Sequence, residues 1–299
     1  MKKGTLSCHI KHILTGLGLM ILVLSINGCG SNKKGPDKPM ISVSILPQKY
    51  FLEKISGNQF YIQVMIPPGE SPATYDPTPE QMISLSKSTA YFLIGDLQFE
   101  KSWILDTRQQ YPSIEFINTS KGLQLEHTDH DGHDHQHSGV DPHTWMTPAN
   151  VKVIAATMAG SLAKIYPEKE KAYQQNLFLF NNELDSLHRF IEQELQGLRS
   201  NEFIIYHPAL TYYARDYHLI QVPIENEGKE PSAKYMKTLI DRARAGNIRA
   251  ILVQQQFNQE EARTIEKQIG GKIIVIDPLA EQWKDQMIYI TNELKSVLK

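Results

Sequence analysis

Two histidines and one aspartate occupy positions at which an α/β protein can bind a metal ion. His207 closes the predicted strand at residues 203–207, Asp277 closes the one at residues 272–277, and a proline follows each. Ligands of open α/β sheets bind beyond the carboxyl ends of the strands. His143 lies in the loop before a long predicted helix. Two imidazoles and one carboxylate suit Zn²⁺, with Mn²⁺ or Fe²⁺ as poorer alternatives, although each residue by itself is more often a helix cap or a hydrogen-bonded side chain.

A histidine-rich segment precedes His143. Residues 127–137 read HTDHDGHDHQH, with five histidines, three aspartates and no large apolar side chain. This composition predicts a mobile loop that contributes nothing to a core. Imidazoles and carboxylates at this density favour loose metal capture, and the candidate donors are His130, His133, His135 and His137. The alternatives are a solvated insertion without a metal role or a charge switch at acid pH.

Composition excludes several classes of protein. The chain has 31 Lys plus Arg against 33 Asp plus Glu, a net charge of −2, which argues against a nucleic-acid binder. Two cysteines in 299 residues exclude a disulfide-stapled scaffold. The sequence contains no zinc-protease, serine-hydrolase, P-loop or dinucleotide-binding motif. We therefore expect a binding protein rather than an enzyme.

The N-terminus has the pattern of a secretory signal. Three lysines precede an apolar run at residues 13–26, which is too short for a comfortable membrane span. Residues 26–29 (INGC) resemble the lipobox of bacterial lipoproteins, which predicts a signal peptide at residues 1–28 and lipidation of Cys29. Residues 29–39 then form a tether. The expected location is extracytoplasmic and membrane-anchored through the lipid, and an uncleaved anchor is the alternative.

Short β-rich runs alternate with helical segments in both halves of the remaining chain. The predicted strands lie at residues 41–46, 60–66, 90–95, 114–118, 203–207, 219–225, 250–256 and 272–277. Such alternation predicts an α/β fold with two lobes, each a mainly parallel four-stranded sheet flanked by helices. The lobes are expected at residues 40–147 and 200–299.

A long helical segment separates the two lobes at residues 148–199. Residues 148–165 are predicted to be helical, and Pro167 interrupts them. Apolar residues then recur at spacings of three and four: Leu177, Phe180, Leu184, Leu187, Ile191, Leu195 and Leu198. This spacing places them on one face of a helix, which we interpret as the face that packs against the lobes. One long backbone helix is thus expected to join the lobes and to limit their relative motion.

Several stretches resemble the zinc and manganese substrate-binding lipoproteins of ABC transporters, the cluster A-I or TroA-like receptors. The stretches are residues 66–79 (IPPGESPATYDPTP), 94–95 with 99–100 and Trp103, 141–145 (DPHTW), 206–209 with 213–217, 228–232 (GKEPS) and 276–280 (IDPLA). They occur in the order of the family and extend over nearly the whole chain after residue 28. The resemblance implies two α/β lobes joined by a rigid backbone helix, with a metal ion in the cleft between them.

The resemblance also implies a set of metal ligands. The family uses a histidine in an S-P-H-T-Y loop, a histidine in D-P-H-x-W, a histidine or glutamate at the end of the first strand of the second lobe, and a late aspartate or glutamate. His143 and His207 match the second and third of these, and Asp277 matches the fourth. Ala73 stands at the first place and has no donor atom.

The position left open by Ala73 has several candidate occupants. They are water, the loop residues Glu70 and Asp76, and a histidine from residues 130–137. A weakened site or a changed ligand is a further alternative. The histidine at the third place and the histidine-rich loop are more similar to the zinc branch of the family, so zinc is the expected metal.

The resemblance implies a monomeric receptor that captures zinc outside the cytoplasm and delivers it to an ABC permease. One alternative is an envelope adhesion or interaction lipoprotein with weakened metal binding. Another is a zinc hydrolase, for which Glu70 is the candidate general base. Glu225, Glu227 and Glu230 are interpreted as part of a solvated loop, and the alternative is that they bind the metal or support one of its ligands.

Overall fold

Two parallel four-stranded sheets form the framework of the computed structural model, which describes residues 38–127, 139–225, 231–257 and 259–299. The first sheet contains β1 (Met40–Val43), β2 (Tyr61–Val64), β3 (Ser88–Leu93) and β4 (Glu115–Asn118) in the order β2-β1-β3-β4. The second contains β5 (Glu202–Ile205), β6 (Ile220–Pro223), β7 (Ala250–Gln254) and β8 (Lys272–Ile276) in the order β6-β5-β7-β8. The predicted α/β class and its two parallel sheets are confirmed.

Several sequence predictions fall outside the described residues. They concern the signal peptide at residues 1–28, the lipidation of Cys29, most of the tether at residues 29–39, and the candidate metal donors His130, His133, His135 and His137. Glu227 and Glu230 also lie outside. These predictions stay predictions.

Helices connect the strands and cover the sheets. The α-helices are α1 (Leu46–Ser56), α2 (Pro79–Leu85), α3 (Leu105–Thr107), α4 (Pro148–Ile165), α5 (Glu170–Glu194), α6 (Thr211–Asp216), α7 (Ala233–Ala245), α8 (Glu260–Ile269) and α9 (Trp283–Leu298). A π-helical turn spans Glu100–Ile104, and short 3₁₀ turns span Gly57–Gln59, Arg108–Gln110 and Pro167–Lys169. Of the helices in the described ranges, none has both the length and the apolar character that crossing a bilayer requires.

The strands of each sheet end together at one edge. Val43 of β1 lies opposite Val64 of β2, and Ile205 of β5 lies opposite Pro223 of β6 and Leu252 of β7. The central strands β1, β3, β5 and β7 are nearly continuous runs of buried residues because helices cover both faces of a parallel sheet. Polar residues that follow the strands are therefore collected at the carboxyl edge of each sheet.

The long helix α5 joins the two sheets, as the apolar spacing predicts. Phe180, Leu184, Leu187 and Ile191 are all buried on one face of it. The helix packs against α4 and α1 and against the C-terminal helix α9. Since α1 follows β1 and α9 follows β8, α5 ties the first sheet to the second, and residues Lys38–Lys299 form one compact unit.

A buried carboxylate holds the carboxyl edge of the first sheet together. Glu100 accepts hydrogen bonds from the hydroxyl of Ser44, which follows β1, and from the backbone N–H groups of Ile94 (2.7 Å) and Gly95 (2.6 Å), which follow β3. Gly95 has a φ of 115°, and a Cβ there would lie 2.5 Å from the Asn118 amide, so only glycine fits. Burial raises the pKa of Glu100 to about 7, although its three hydrogen bonds act in the opposite direction.

Two buried indoles join the loop before α4 to the loop after β8. Trp145 donates its Nε1–H to the carbonyl of Pro278 at 2.8 Å, and Trp283 donates its own to the carbonyl of Trp145 at 2.9 Å. Both indoles are 1% exposed. The loop that carries His143 is thereby fixed to the one that carries Asp277.

Trp283→Phe removes the buried indole N–H and leaves the carbonyl of Trp145 without its hydrogen-bond donor. We expect the free energy of unfolding to fall by about 2 to 4 kcal/mol, because a lost buried hydrogen bond adds to a small cavity. Trp103→Phe is the matched control, since that indole also donates a hydrogen bond, to Asp76 at 3.0 Å, but is 36% exposed. Urea unfolding followed by far-UV circular dichroism measures both changes, and equal losses would contradict the role given to Trp283.

The free energy of unfolding is also expected to depend on pH through Glu100. Its pKa is about 7 in the folded protein and 4.5 in the reference state, so the folded state binds the proton more tightly. The stabilisation is complete below pH 4.5 and is lost as the pH rises through 7, which amounts to about 2 kcal/mol between pH 5.5 and 8. Glu100→Gln removes this titration. Parallel pH profiles of the free energy of unfolding for the two proteins would disprove the assignment.

Candidate metal centre

One cavity of about 480 Å³ is lined by residues from both halves of the compact unit. The first half carries the sheet β1–β4, and the second half carries the sheet β5–β8. The first half contributes the turn at residues 71–74, and the second contributes residues 207–209 and Phe257. The loop before α4 contributes His143 and Trp145. Because the carboxyl edges of both sheets supply its walls, this cavity lies where an α/β fold places a ligand site.

His143 and His207 meet at this cavity. Their ring centroids are 5.1 Å apart and the ring planes are inclined at 67°. The sequence places His207 at the last position of its strand, but β5 ends at Ile205 and His207 lies two residues beyond it. The structure thus brings together two of the three residues that the sequence singled out as metal ligands.

A buried carboxylate orients the imidazole of His143. The Nδ1 atom of His143 lies 2.8 Å from Oδ1 of Asp141, whose other oxygen accepts a hydrogen bond from Thr211 at 2.5 Å. Burial raises the pKa of Asp141, but attraction to His143 and the hydrogen bonds from His143 and Thr211 outweigh it and hold the pKa below its usual value. The carboxylate is therefore ionised and accepts the Nδ1–H, which leaves the Nε2 lone pair of His143 free to bind a metal.

Glu225 orients His207 in the same way. Its Oε1 lies 2.6 Å from Nδ1 of His207, and the imidazole stacks on Phe257 with 5.5 Å between centroids and 20° between planes. The prediction that Glu225 belongs to a solvated loop is wrong, because the residue is only 8% exposed. The backbone N–H of Glu225 donates to the carbonyl of Tyr206 at 3.1 Å, so the chain after β6 runs beside the chain after β5 and brings the carboxylate to the histidine.

The two carboxylate–histidine pairs together present two imidazole nitrogens for metal coordination at one cavity. In each pair a carboxylate fixes the Nδ1–H of an imidazole, so that Nε2 is the atom left for coordination. Histidines that bind metals almost always have such a partner, which sets the tautomer, the ring orientation and the basicity of the ligand. Sequence reasoning did not assign Asp141 this role, for which its place in the motif DPHTW was the only signal, and it placed Glu225 near a metal only as the alternative to a solvated loop.

Asp277 follows β8 directly, as predicted, but its carboxylate is held elsewhere. It accepts hydrogen bonds from the amides of Gln255 (2.9 Å) and Gln256 (3.2 Å) and from the backbone N–H of Leu279 (3.0 Å). Pro278 and Leu279 line the cavity, whereas Asp277 is absent from the wall that the described residues form. Within those residues, no three His, Cys, Asp or Glu side chains form a group that could hold a metal ion.

Ala73 lies in the wall of the cavity, at the place where the resemblance would put a histidine. Glu70 is exposed and is absent from the described part of that wall. Asp76 lies at a second, smaller cavity of about 230 Å³, where it accepts a hydrogen bond from Trp103. The structure therefore does not bring either carboxylate to the two histidines.

The chain is similar to proteins of zinc uptake. The profile of the family ZnuA, zinc-uptake complex component A periplasmic, matches residues 41–297. The high-affinity zinc uptake system protein ZnuA of Bacillus subtilis (strain 168) is 25% identical over 289 residues, which cover 90% of each chain. The zinc-binding lipoprotein AdcA of Streptococcus pneumoniae (strain R6) is 25% identical over 282 residues, 90% of this chain. This chain spans 55% of that AdcA, about half the length of several such relatives.

Solved structures agree with the sequence comparison. A crystal structure of ZnuA is 36% identical, covers 88% of this chain and 100% of its own, and superposes with a TM-score of 0.82. A zinc-bound deletion mutant of ZnuA is also 36% identical, covers 88% of this chain and 99% of its own, and has a TM-score of 0.81. Two sheets joined by a long helix are thus the architecture of these proteins as well.

Glu225→Gln is expected to weaken metal binding by about 10-fold to 100-fold, because an amide is a poorer acceptor for the Nδ1–H of His207 and lowers the basicity of Nε2. Competition with a chromophoric zinc chelator measures the affinity. Glu115→Gln is the control, since Glu115 is exposed on β4 and away from the cavity wall. Glu225→Asp should keep more of the affinity than Glu225→Gln. The same affinity in all four proteins would remove Glu225 from the site.

Proposed function

The chain belongs to the ZnuA family of periplasmic zinc-uptake components, and from this we propose that it is a zinc receptor that captures the ion outside the cytoplasm and delivers it to an ABC permease. The observation that carries the proposal is the pair of carboxylate-oriented histidines, His143 with Asp141 and His207 with Glu225, at one cavity. Zinc accepts imidazole nitrogen in tetrahedral sites. A receptor needs a ligand set that binds and releases the ion, and it makes and breaks no covalent bond of a substrate.

We propose His143 and His207 as the zinc ligands, each through Nε2. Asp277 is the proposed third ligand, and it would have to exchange the amides of Gln255 and Gln256 for the metal. Glu70, Asp76 and the histidines of residues 130–137 stay candidates for the position that Ala73 leaves open. Mn²⁺ and Fe²⁺ are poorer cargoes because two imidazoles favour zinc.

The proposed location and partners follow from the N-terminus and from the family. A lipid on Cys29 would hold the receptor at the outer side of the cytoplasmic membrane or in the periplasm, and residues 29–39 would give it reach. The partner is an ABC permease of the cell membrane, to which a monomer would present the metal.

Two other functions stay predictions. An envelope adhesion lipoprotein with weakened metal binding is compatible with Ala73, but no contact among the described residues favours it. A zinc hydrolase requires a general base beside the metal. Glu70, the candidate base, is exposed and outside the described wall of the cavity, which makes this function the least favoured.

The double variant His143→Ala, His207→Ala tests the proposal. We expect the affinity of the tight zinc site to fall at least ~100-fold, because both nitrogen donors are lost. A zinc competition titration on the full chain measures this affinity.

The matched control is the double variant His188→Ala, His218→Ala. These histidines are outside the described wall of the cavity, and His188 instead lies 3.0 Å from the hydroxyl of Tyr217. The control should bind zinc like the parent protein. An unchanged affinity in the first double variant would refute the assignment of the ligands.

A further inference from the structure

The cavity at the two histidines is much larger than a metal ion with bound water. Its volume of about 480 Å³ lies in the range of pockets that bind small organic molecules, roughly 300 to 1,000 Å³, whereas a water molecule occupies about 30 Å³. Phe257, Trp145, Leu97 and Leu279 are part of its wall. Apolar walls with a few polar groups are typical of pockets that hold an organic ligand.

Two imidazoles fill two of the four corners of a tetrahedral zinc site. Ala73 puts a methyl group at the wall where the resemblance would put a histidine, and the Asp277 carboxylate already accepts three hydrogen bonds. The two remaining corners are adjacent, as any two corners of a tetrahedron are. One bidentate molecule can therefore occupy both.

The charges at the cavity are compatible with such a molecule. Asp141 and Glu225 contact the Nδ1 atoms of the two imidazoles, so neither carboxylate competes with the guest for a corner of the metal site. The described wall contains no Lys or Arg. A carboxylate on the guest would thus find its cation in the metal itself, while the hydroxyls of Ser71 and Thr74 lie at the same wall for hydrogen bonds.

We propose that the cargo is a zinc chelate of a small α-amino acid, bound by Nε2 of His143 and of His207, in which the amino acid takes the place that Asp277 would have on a free zinc ion. The amino acid supplies its amine nitrogen and one carboxylate oxygen to the metal, and its amine loses a proton to solvent on coordination. Its body occupies the space beside Ala73. This inference rests on the proposed zinc receptor function and specifies the chemical class of its substrate.

Equilibrium dialysis of the full chain with radioactive zinc and radioactive glycine tests the inference. Glycine is the simplest N,O chelator, and N-acetylglycine is its control because the acetylated amine cannot coordinate. We expect glycine to be retained at one molecule per tightly bound zinc, only when zinc is present, and N-acetylglycine not to be retained.

Ala73→His supplies a third side-chain donor and fills part of the cavity. We expect this variant to retain zinc while its retention of glycine falls by at least about tenfold, equivalent to roughly 1.4 kcal/mol. Ala233→His, at an exposed position on α7, is the matched control and should retain both labels like the parent protein.

The outcomes separate the two proposals. Tight zinc binding without retained glycine overturns the chelate and leaves the zinc receptor standing, as it would if Asp277 or a histidine of residues 130–137 completed the site. No retention of either label overturns both. Equal retention of glycine by the parent and by Ala73→His also overturns the chelate, because the guest would then not occupy the space beside residue 73.

Discussion

The site depends on the hydrogen bond from the Nδ1–H of an imidazole to a buried carboxylate. A free imidazole exchanges the proton between its two nitrogens and turns about its bonds, so it offers a metal no fixed donor. Asp141 and Glu225 remove this freedom for His143 and His207, and both acids are buried. Their negative charge also raises the affinity of the paired rings for a cation. The rest of the fold can be understood as the means of bringing two such pairs to one cavity.

Three buried contacts fix loops that border the cavity. Trp145 and Trp283 fasten the loop of His143 to the loop after β8, and Glu100 fastens the chain after β3 to the chain after β1. The long helix α5 packs on helices from both halves. Each contact joins segments that follow different strands, so the carboxyl edges of the sheets are held as preformed walls of the cavity rather than as independent loops.

The two sides of the cavity differ in the metal donors that they supply. The second half supplies His207, Glu225 and Phe257, and the loop before α4 supplies His143, whereas the turn at residues 71–74 supplies no His, Cys, Asp or Glu. A metal bound as proposed would therefore be held by the second half and the loop before α4.

The sequence by itself determined the α/β class, the eight strands to within a few residues, the apolar face of α5, and the candidate ligands His143 and His207, because hydrophobic periodicity and strand-end motifs are local properties of the chain. Only the tertiary structure decided which polar residues meet. Glu225 follows β6 but serves a histidine after β5, since these strands are neighbours in the sheet. Asp277 lies at its predicted strand end, yet glutamines after β7 bind its carboxylate. Contacts between residues from different strands depend on strand order and on the path of each loop, and spacing along the chain encodes neither.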